Sequence, residues 1–427
     1  MMSVLFRIYS AVHNTTANLF FAQTPLPAKI RSRTSSLQPV DSMIKQSSSK
    51  QFSSYTKRLN YDPTLHHGEL QSSIFASPNR YIQSTNLLSQ LHRFLVDLEG
   101  TAYIVCSKGG KRRFESILKV NHDMEWIIFN GECSENEILR INEMISKPGF
   151  IIALGGGKPI DAGKAVAYMK GLDVVVVPTL ASNDAPCSAL SVLYKEDGSH
   201  DRVVYFPSSP RVVAVDLSVI AAAPKRYFVS GIGDALATFY EADTVQRSGA
   251  LNRVGGKTTA LGVATAQLCR DVLFQAGSQA VNDIKMNRGA TEAIATITET
   301  LILHSGLGFE SGGTAAAHGL HNALVTAVPE CHSALHGEKV AFCLIVHLLL
   351  EGKVEEAAKI AKFNAEVGLP VTWSELSLHR EGVEKAAILA CDKGNFCANM
   401  DMELNPSLIY EMFVKADKLG KKVLAKK

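Results

Sequence analysis

Five consecutive apolar residues, Phe150–Leu154, run straight into three glycines, Gly155–Gly157, and a helix-patterned segment, "GKPIDAGKAVAYMK", follows without a break. A buried strand that ends on glycines and turns at once into a helix is a unit of a parallel sheet, and it constrains the fold more than any other feature of the chain. Four further apolar runs repeat the arrangement: "AYIVCS" (102–107), "EWIIFN" (125–130), "DVVVVPT" (173–179) and "RVVAVDLSVI" (211–220). Helix-length segments separate most of them. The runs are continuous rather than alternating, as expected for strands covered on both faces.

Beyond about residue 222 the pattern changes. Segments 251–277, 290–304, 334–350, 353–366 and 381–392 carry apolar residues at helical spacing, and β-branched clusters become rare. The sequence therefore predicts an α/β N-terminal dinucleotide-binding domain with a parallel sheet over 76–223 and an all-α C-terminal domain over 224–427. The boundary falls near Pro224. A length of 427 residues is enough for two domains of ordinary size.

Residues 1–75 are expected to lie outside this fold. Within residues 1–60, Arg7, Lys29, Arg31, Arg33, Lys45, Lys50, Lys57 and Arg58 face one acid, Asp41, in a serine-rich stretch. Basic, serine-rich, acid-poor composition is that of a transit peptide, so the sequence predicts mitochondrial delivery, with a cytoplasmic tail as the alternative. A secretory signal fits less well, because Arg7 interrupts the early apolar run. The net charge is only +3, which gives no reason to expect a nucleic-acid surface. No apolar run reaches the roughly 18 residues of a membrane span; "AFCLIVHLLL" (341–350) reads as a buried helix. Eight scattered cysteines without a CxxC pair read as buried thiols, not as a disulfide framework or a zinc knuckle.

Glycines at a strand-to-helix turn let backbone amides approach a pyrophosphate, and the helix start adds a favourable partial charge. A tight structural turn is the plainer reading. The segment "PTLASNDAPCSALSVLY" (178–194) follows the next strand, where ligands of open parallel sheets bind. Its hydroxyl residues Thr179, Ser182 and Ser188 suit a nucleotide, and Asp184 suits a substrate hydroxyl. A loop that merely caps a helix would look similar.

Four histidines fall within "AAAHGLHNALVTAVPECHSALHGEK": His318, His321, His332 and His336. His318 and His321 are spaced i, i+3 and His332 and His336 i, i+4. Upstream, "GIGDALATFYEA" presents Asp234 beside glycine at a helix start. A catalytic metal needs about three protein ligands and an open position. Alone, the Asp would be a helix cap and each His a core residue; together they point to a metal site.

These motifs resemble glycerol dehydrogenases, the zinc-dependent branch of the iron-containing alcohol dehydrogenase superfamily. The resemblance runs from "PNRYIQ" (78–83) to "KADKLG" (415–420) and is carried by "GGGKPIDAGKA", "SNDAPCSALSVLY", "GIGDALATFYEA", "GFESGGTAAAHGLHNAL" and "HGEKVAF". It implies a dehydroquinate synthase-like two-domain architecture with the site between the domains. It also implies NAD-linked oxidation of glycerol to dihydroxyacetone, one Zn2+ per subunit, and a homo-oligomer, such as an octamer. Carried over residue by residue, the metal ligands fall on Asp234, His318 and His336, which also face the substrate. The pyrophosphate loop falls on Gly155, Gly156, Gly157 and Lys158, and further cofactor contacts on Thr179, Ser182, Ser188, Leu190 and Tyr194. Asp184 holds the polyol, and His321 stands near the substrate as a proton relay.

Two positions depart from the resemblance. Pro159 stands where the family has Thr, which removes a hydroxyl and an N–H near the phosphates. Lys108 stands about where the family has an acid for the adenine ribose, and with Lys111, Arg112 and Arg113 it would favour a 2′-phosphate. Competing expectations are a polyol-phosphate dehydrogenase or a dehydroquinate-synthase-like lyase of the same fold, and a catalytically silent metal- or nucleotide-binding protein. The first would need a basic cluster near Asp184 and Asp234, and the second a broken ligand set; neither is present in the motifs.

Overall fold

The apolar runs become strands of one parallel sheet. In the computed structural model the described residues are Leu59, 61–64 and 72–426. The strands are β1 (Arg80–Ser84), β2 (Thr101–Cys106), β3 (Met124–Ile128), β4 (Gly149–Gly155), β5 (Val174–Pro178) and β8 (Val212–Asp216). They lie in the order β1-β8-β5-β4-β2-β3, with every neighbouring pair parallel. β2 is buried along its whole length, because helices and loops cover both faces. A separate antiparallel hairpin, β6 (Leu190–Tyr194) and β7 (His200–Tyr205), interrupts the parallel order.

Helices α1 (Lys108–Phe114), α2 (Glu135–Met144) and α3 (Gly157–Lys170) connect strands of this sheet, and α4 (Leu217–Ala221) follows the last of them. The expected strand 211–220 is thus half strand and half helix. Asp216 ends it: its carboxylate accepts from Ser218 N and caps α4, and it also accepts from the backbone of Asn86 and Leu88. The chain then enters the helical region at α5 (Lys225–Ser248), with Pro224 at the N-cap.

The helical region follows as α6 (Ala260–Lys285), α7 (Glu292–Glu299), α8 (Ser305–Gly312), α9 (Ala316–Ala327), α10 (His336–Leu350), α11 (Val354–Val367), α12 (Arg380–Leu389) and α13 (Pro406–Leu424). The expected helix 251–277 begins only at Ala260. Asn252 ties the preceding turn through its side chain, Gly255 adopts φ +77°, and Thr259 caps α6. The expected helix 290–304 is α7 plus a π-helical turn, Thr300–His304, that runs on into α8. The apolar run 341–350 is the buried heart of α10. All eight cysteines are free thiols, seven of them buried.

Among the described residues, the sheet and helical regions pack as one compact unit. Part of the segment expected to be leader belongs to it. Leu59 is buried in the core cluster that holds Tyr103 and Ile151, and Ser73 forms a parallel bridge with Lys257. The body therefore begins before residue 75. The basic stretch 1–50 lies outside the described residues, and with it the transit-peptide expectation. Among the described residues no helix is long and apolar enough to cross a membrane.

Candidate metal centre and cofactor cleft

Helix α5 supplies Asp234, α9 supplies His318 and α10 opens with His336. One ligand atom from each lies within 4.8 Å of the others. Two glycines allow this approach. A Cβ on Gly337 would stand 1.8 Å from Ser230 O, and a Cβ on Gly233 would stand 2.4 Å from Gly337 O. Either would push α5 and α10 apart. Gly233, which precedes Asp234, and Gly337, which follows His336, are therefore the points where the two helix backbones touch.

Asp234 is 2% exposed, yet neither carboxylate oxygen has a hydrogen bond. Nε2 of His336 and of His318 lie 3.1 and 3.4 Å from Oδ1, close but not aligned as donors. A buried carboxylate with both oxygens orphaned is costly unless something else satisfies it. Burial alone would raise its pKa, but His336 and His318 overcome burial and hold Asp234 well below the usual carboxylate range. One carboxylate and two imidazoles converging in this way fit a divalent metal with an open position. His336, the most exposed of the three at 40% of its side chain, leaves that position accessible.

Each of the two histidines is oriented from behind. Glu241 Oε2 lies 2.5 Å from His318 Nδ1, and its other oxygen accepts from the backbone N–H groups of Ala315 and His318. That fixes the His318 proton on Nδ1 and leaves Nε2 free to bind metal. Sequence reasoning missed Glu241. The available signal was its spacing, seven residues and two turns beyond Asp234 on the same helix face.

His321 plays the corresponding part for His336. Its Nε2 lies 3.1 Å from His336 Nδ1, and its own Nδ1 lies 3.0 Å from Asn322 Oδ1. Both ring nitrogens of His321, the expected proton relay, are thus engaged by neighbours. Burial, then the neighbouring His336, Lys339 and His318, hold its pKa well below the ordinary value, so it stays neutral. His332 is exposed, bonds to Val325 O and stands apart from the ligand set.

Asp184 approaches from the sheet side. Its carboxylate is part-buried, 3.5 Å from Ser305 Oγ, and Ser305 in turn bonds Thr238 of α5 at 3.0 Å. Burial, and then the charge of Asp234, push its pKa up to about 8. The π turn ahead of α8 delivers Ser305 and Gly306 to this spot, where a Cβ on Gly306 would stand 2.8 Å from Cys187 Cβ. The loop that carries Asp184 also rests on α5: a Cβ on Gly231 would lie 2.1 Å from Ala181 O.

A cleft of about 720 Å³ opens at the carboxyl ends of β2, β4 and β5. Gly155, Gly156, Gly157, Lys158, Thr179 and Ser182 all line it, as expected. Helix α3 starts there with Gly156 as N-cap and no side-chain cap bond, so its first amides remain available to a phosphate. Pro159 removes one of them. The Lys158 ammonium is 2.7 Å from Glu132 and over the Tyr194 ring, which leaves its backbone as the phosphate-facing group.

Three expected cofactor contacts are not among the residues that line this cleft. Ser188 and Leu190 are buried behind the cleft, where their carbonyls accept from Lys164 Nζ, and Tyr194 is packed beneath Lys158. Lys164 anchors this stretch of backbone. It is buried, paired with Asp161 at 3.0 Å, and it donates to the carbonyls of Ala185, Ser188 and Leu190. Asp161 completes the tie by accepting from Val192 N. Sequence reading missed Ser107, Gly110, Phe129 and Tyr227 on the cleft wall, whereas Arg113, expected near a 2′-phosphate, does line it. Lys108 is not among the lining residues; Ser107 stands at the end of β2 instead.

The sequence profile named "Iron-containing alcohol dehydrogenase" matches residues 78–217. A glycerol dehydrogenase of Escherichia coli O6:H1 is 38% identical over 362 residues, which cover 82% of this chain and 98% of that protein. A glycolaldehyde reductase of Halobacterium salinarum is 38% identical over 366 residues, covering 82% of this chain and 99% of that protein. The crystal structure of glycerol dehydrogenase from Schizosaccharomyces pombe superposes with a TM-score of 0.80 at 30% identity, covering 83% of this chain and 93% of that one. Fold and site together define a metal-dependent alcohol dehydrogenase, an oxidoreductase that acts on CH–OH groups. Within that class, the chain belongs to the glycerol dehydrogenase family. Membership implies a nicotinamide dinucleotide and a metal ion.

Proposed function

We propose that this chain oxidises glycerol to dihydroxyacetone with transfer of hydride to NAD, using one zinc ion per subunit. The observation that carries the reading is the meeting of Asp234, His318 and His336 around an unsatisfied buried carboxylate. When bound, the metal supplies Lewis-acid polarisation of the substrate oxygen and the nicotinamide accepts the hydride. Asp234, His318 and His336 hold the ion, while Glu241 and His321 keep the two imidazoles in one tautomer and orientation. Asp184, next to this set, orients the polyol through its hydroxyls. Gly155–Gly157, Lys158, Thr179 and Ser182 hold the dinucleotide, and positioning supplies much of the rate.

Two imidazoles and one carboxylate suit zinc. The reading includes a homo-oligomer and, from the composition of residues 1–60 alone, mitochondrial delivery. A fusion of residues 1–75 to a fluorescent reporter tests the delivery, and diffuse cytoplasmic signal would count against it. A second reading takes glycolaldehyde, or another small hydroxyaldehyde, as the physiological substrate in the reducing direction, favoured by the Halobacterium relative. Assay of the zinc-loaded protein with glycerol, related diols and glycolaldehyde separates the two. Absence of turnover with every one of them would overturn both.

A further inference from the structure

We infer that the adenosine end of the cleft is built to take a 2′-phosphate, so that NADP binds at least as tightly as NAD. The inference rests on the dinucleotide reading above and concerns only which dinucleotide fits. In a parallel sheet whose glycine loop follows one strand, the adenosine ribose is held beyond the carboxyl end of the adjacent strand. An acidic residue there accepts from the 2′-hydroxyl of NAD, whereas a nearby Arg accommodates the 2′-phosphate of NADP. Here β4 carries the glycine loop, and β2 pairs with it from Thr101–Gly149 to Val105–Ala153.

No carboxylate stands at that end. β2 finishes on Cys106 and the next residue is Ser107, whose Oγ accepts from Gly110 N at 3.0 Å and keeps its own O–H to donate. Among the described residues that line the cleft none is acidic. Glu132, which follows Gly131 of the cleft wall, is taken up by Lys158 at 2.7 Å and by Cys133 N.

The charge beside Ser107 is of the opposite sign. Lys108, Lys111, Arg112 and Arg113 fall within seven residues, and none makes an ion pair among the described residues. Arg113 lines the cleft, with its guanidinium 5.2 Å from the Phe114 ring centre. A guanidinium in that place can meet a phosphate with two parallel N–H donors. Space is provided as well. A Cβ on Gly109 would have only Ser107 Oγ within 4 Å, at 3.9 Å, so the wall is open where the extra group would sit.

The test is equilibrium binding to the full chain, by calorimetry, of NADP, NAD, 2′,5′-ADP and 5′-ADP. The expected result is that 2′,5′-ADP binds about tenfold or more tightly than 5′-ADP, and that added salt narrows the gap. In S107D, the ratio should shift about tenfold or more towards NAD. Arg113→Ala should weaken NADP about tenfold and leave NAD within about twofold. Equal or tighter binding of 5′-ADP, or an unchanged ratio in S107D, overturns the inference and leaves the dinucleotide reading standing. Failure of all four compounds to bind overturns both.

Discussion

Glu241 Oε2 lies 2.5 Å from Nδ1 of His318, and that contact decides which nitrogen of the imidazole faces Asp234. The carboxylate is buried and receives two backbone N–H bonds besides, so it cannot swing away. Burial alone would raise its pKa, but His318 more than offsets burial and keeps Glu241 ionised below the usual range.

Glu241→Gln should therefore keep the fold and lose metal affinity. Removal of a carboxylate behind a histidine ligand commonly costs about 10- to 100-fold in affinity. Competition against a chelator of known affinity measures it, with partial recovery of activity at excess zinc. Unchanged metal affinity would assign Glu241 a merely structural part.

The histidines should divide cleanly. His336→Ala is expected to lose bound metal and turnover together, whereas His332→Ala should retain both, since His332 is exposed and bonds only to Val325 O. Metal analysis of the two purified variants beside their activity decides this. Turnover by a metal-free His336→Ala protein would sink the scheme.

Gly337→Ala tests the close approach of α5 and α10. The added methyl would overlap Ser230 O at 1.8 Å, and backbone cannot yield as a side-chain tip can. Overpacking of this kind costs about 3 kcal/mol, and the displaced His336 should lower metal occupancy as well. Thermal unfolding and metal content report the two effects separately.

Glu310 predicts a pH dependence of stability. Burial, only partly offset by the Ala189 amide, Lys164 and Arg253, pushes its pKa up to about 7. Its Oε2 has no hydrogen bond. The folded-state value exceeds the unfolded one, so the unfolded chain releases this proton first as pH rises. Glu310 then favours unfolding progressively from about pH 4.5 to about pH 7, by roughly 3 kcal/mol, and no further above that. Glu310→Gln keeps an acceptor for Ala189 N and removes the titration. The variant should gain stability relative to the parent at pH 8 but not at pH 4.5. An identical difference at both pH values would contradict this.

Much of the sheet was legible because a strand covered on both faces is written as an uninterrupted apolar run, as in Phe150–Leu154 and Val174–Val177. β1 was not legible. It is an edge strand of mixed polarity, "RYIQS", and pairs with β8 from across more than a hundred residues. The hairpin was not legible either: β6 was hidden inside 178–194, a segment read as cofactor loop, and β7 follows just beyond it. What places β6 there is the buried Asp161–Lys164 pair, and a charged i, i+3 pair on a helix ordinarily reads as surface. The start of α6 was read nine residues early, since apolar spacing does not register a turn held by Asn252 and Gly255.

The sequence by itself determined the fold class and the glycine turn at the head of α3, because period and glycine position are local properties, and the family resemblance of its motifs singled out Asp234, His318 and His336 as expected metal ligands. Only the tertiary structure decided how those ligands are held. Glu241 behind His318, His321 behind His336, Gly233 against Gly337 and Ser107 at the mouth of the cleft are relations between segments far apart in the chain. Their distances follow from how closely two backbones can pack, and no spacing along the sequence encodes that.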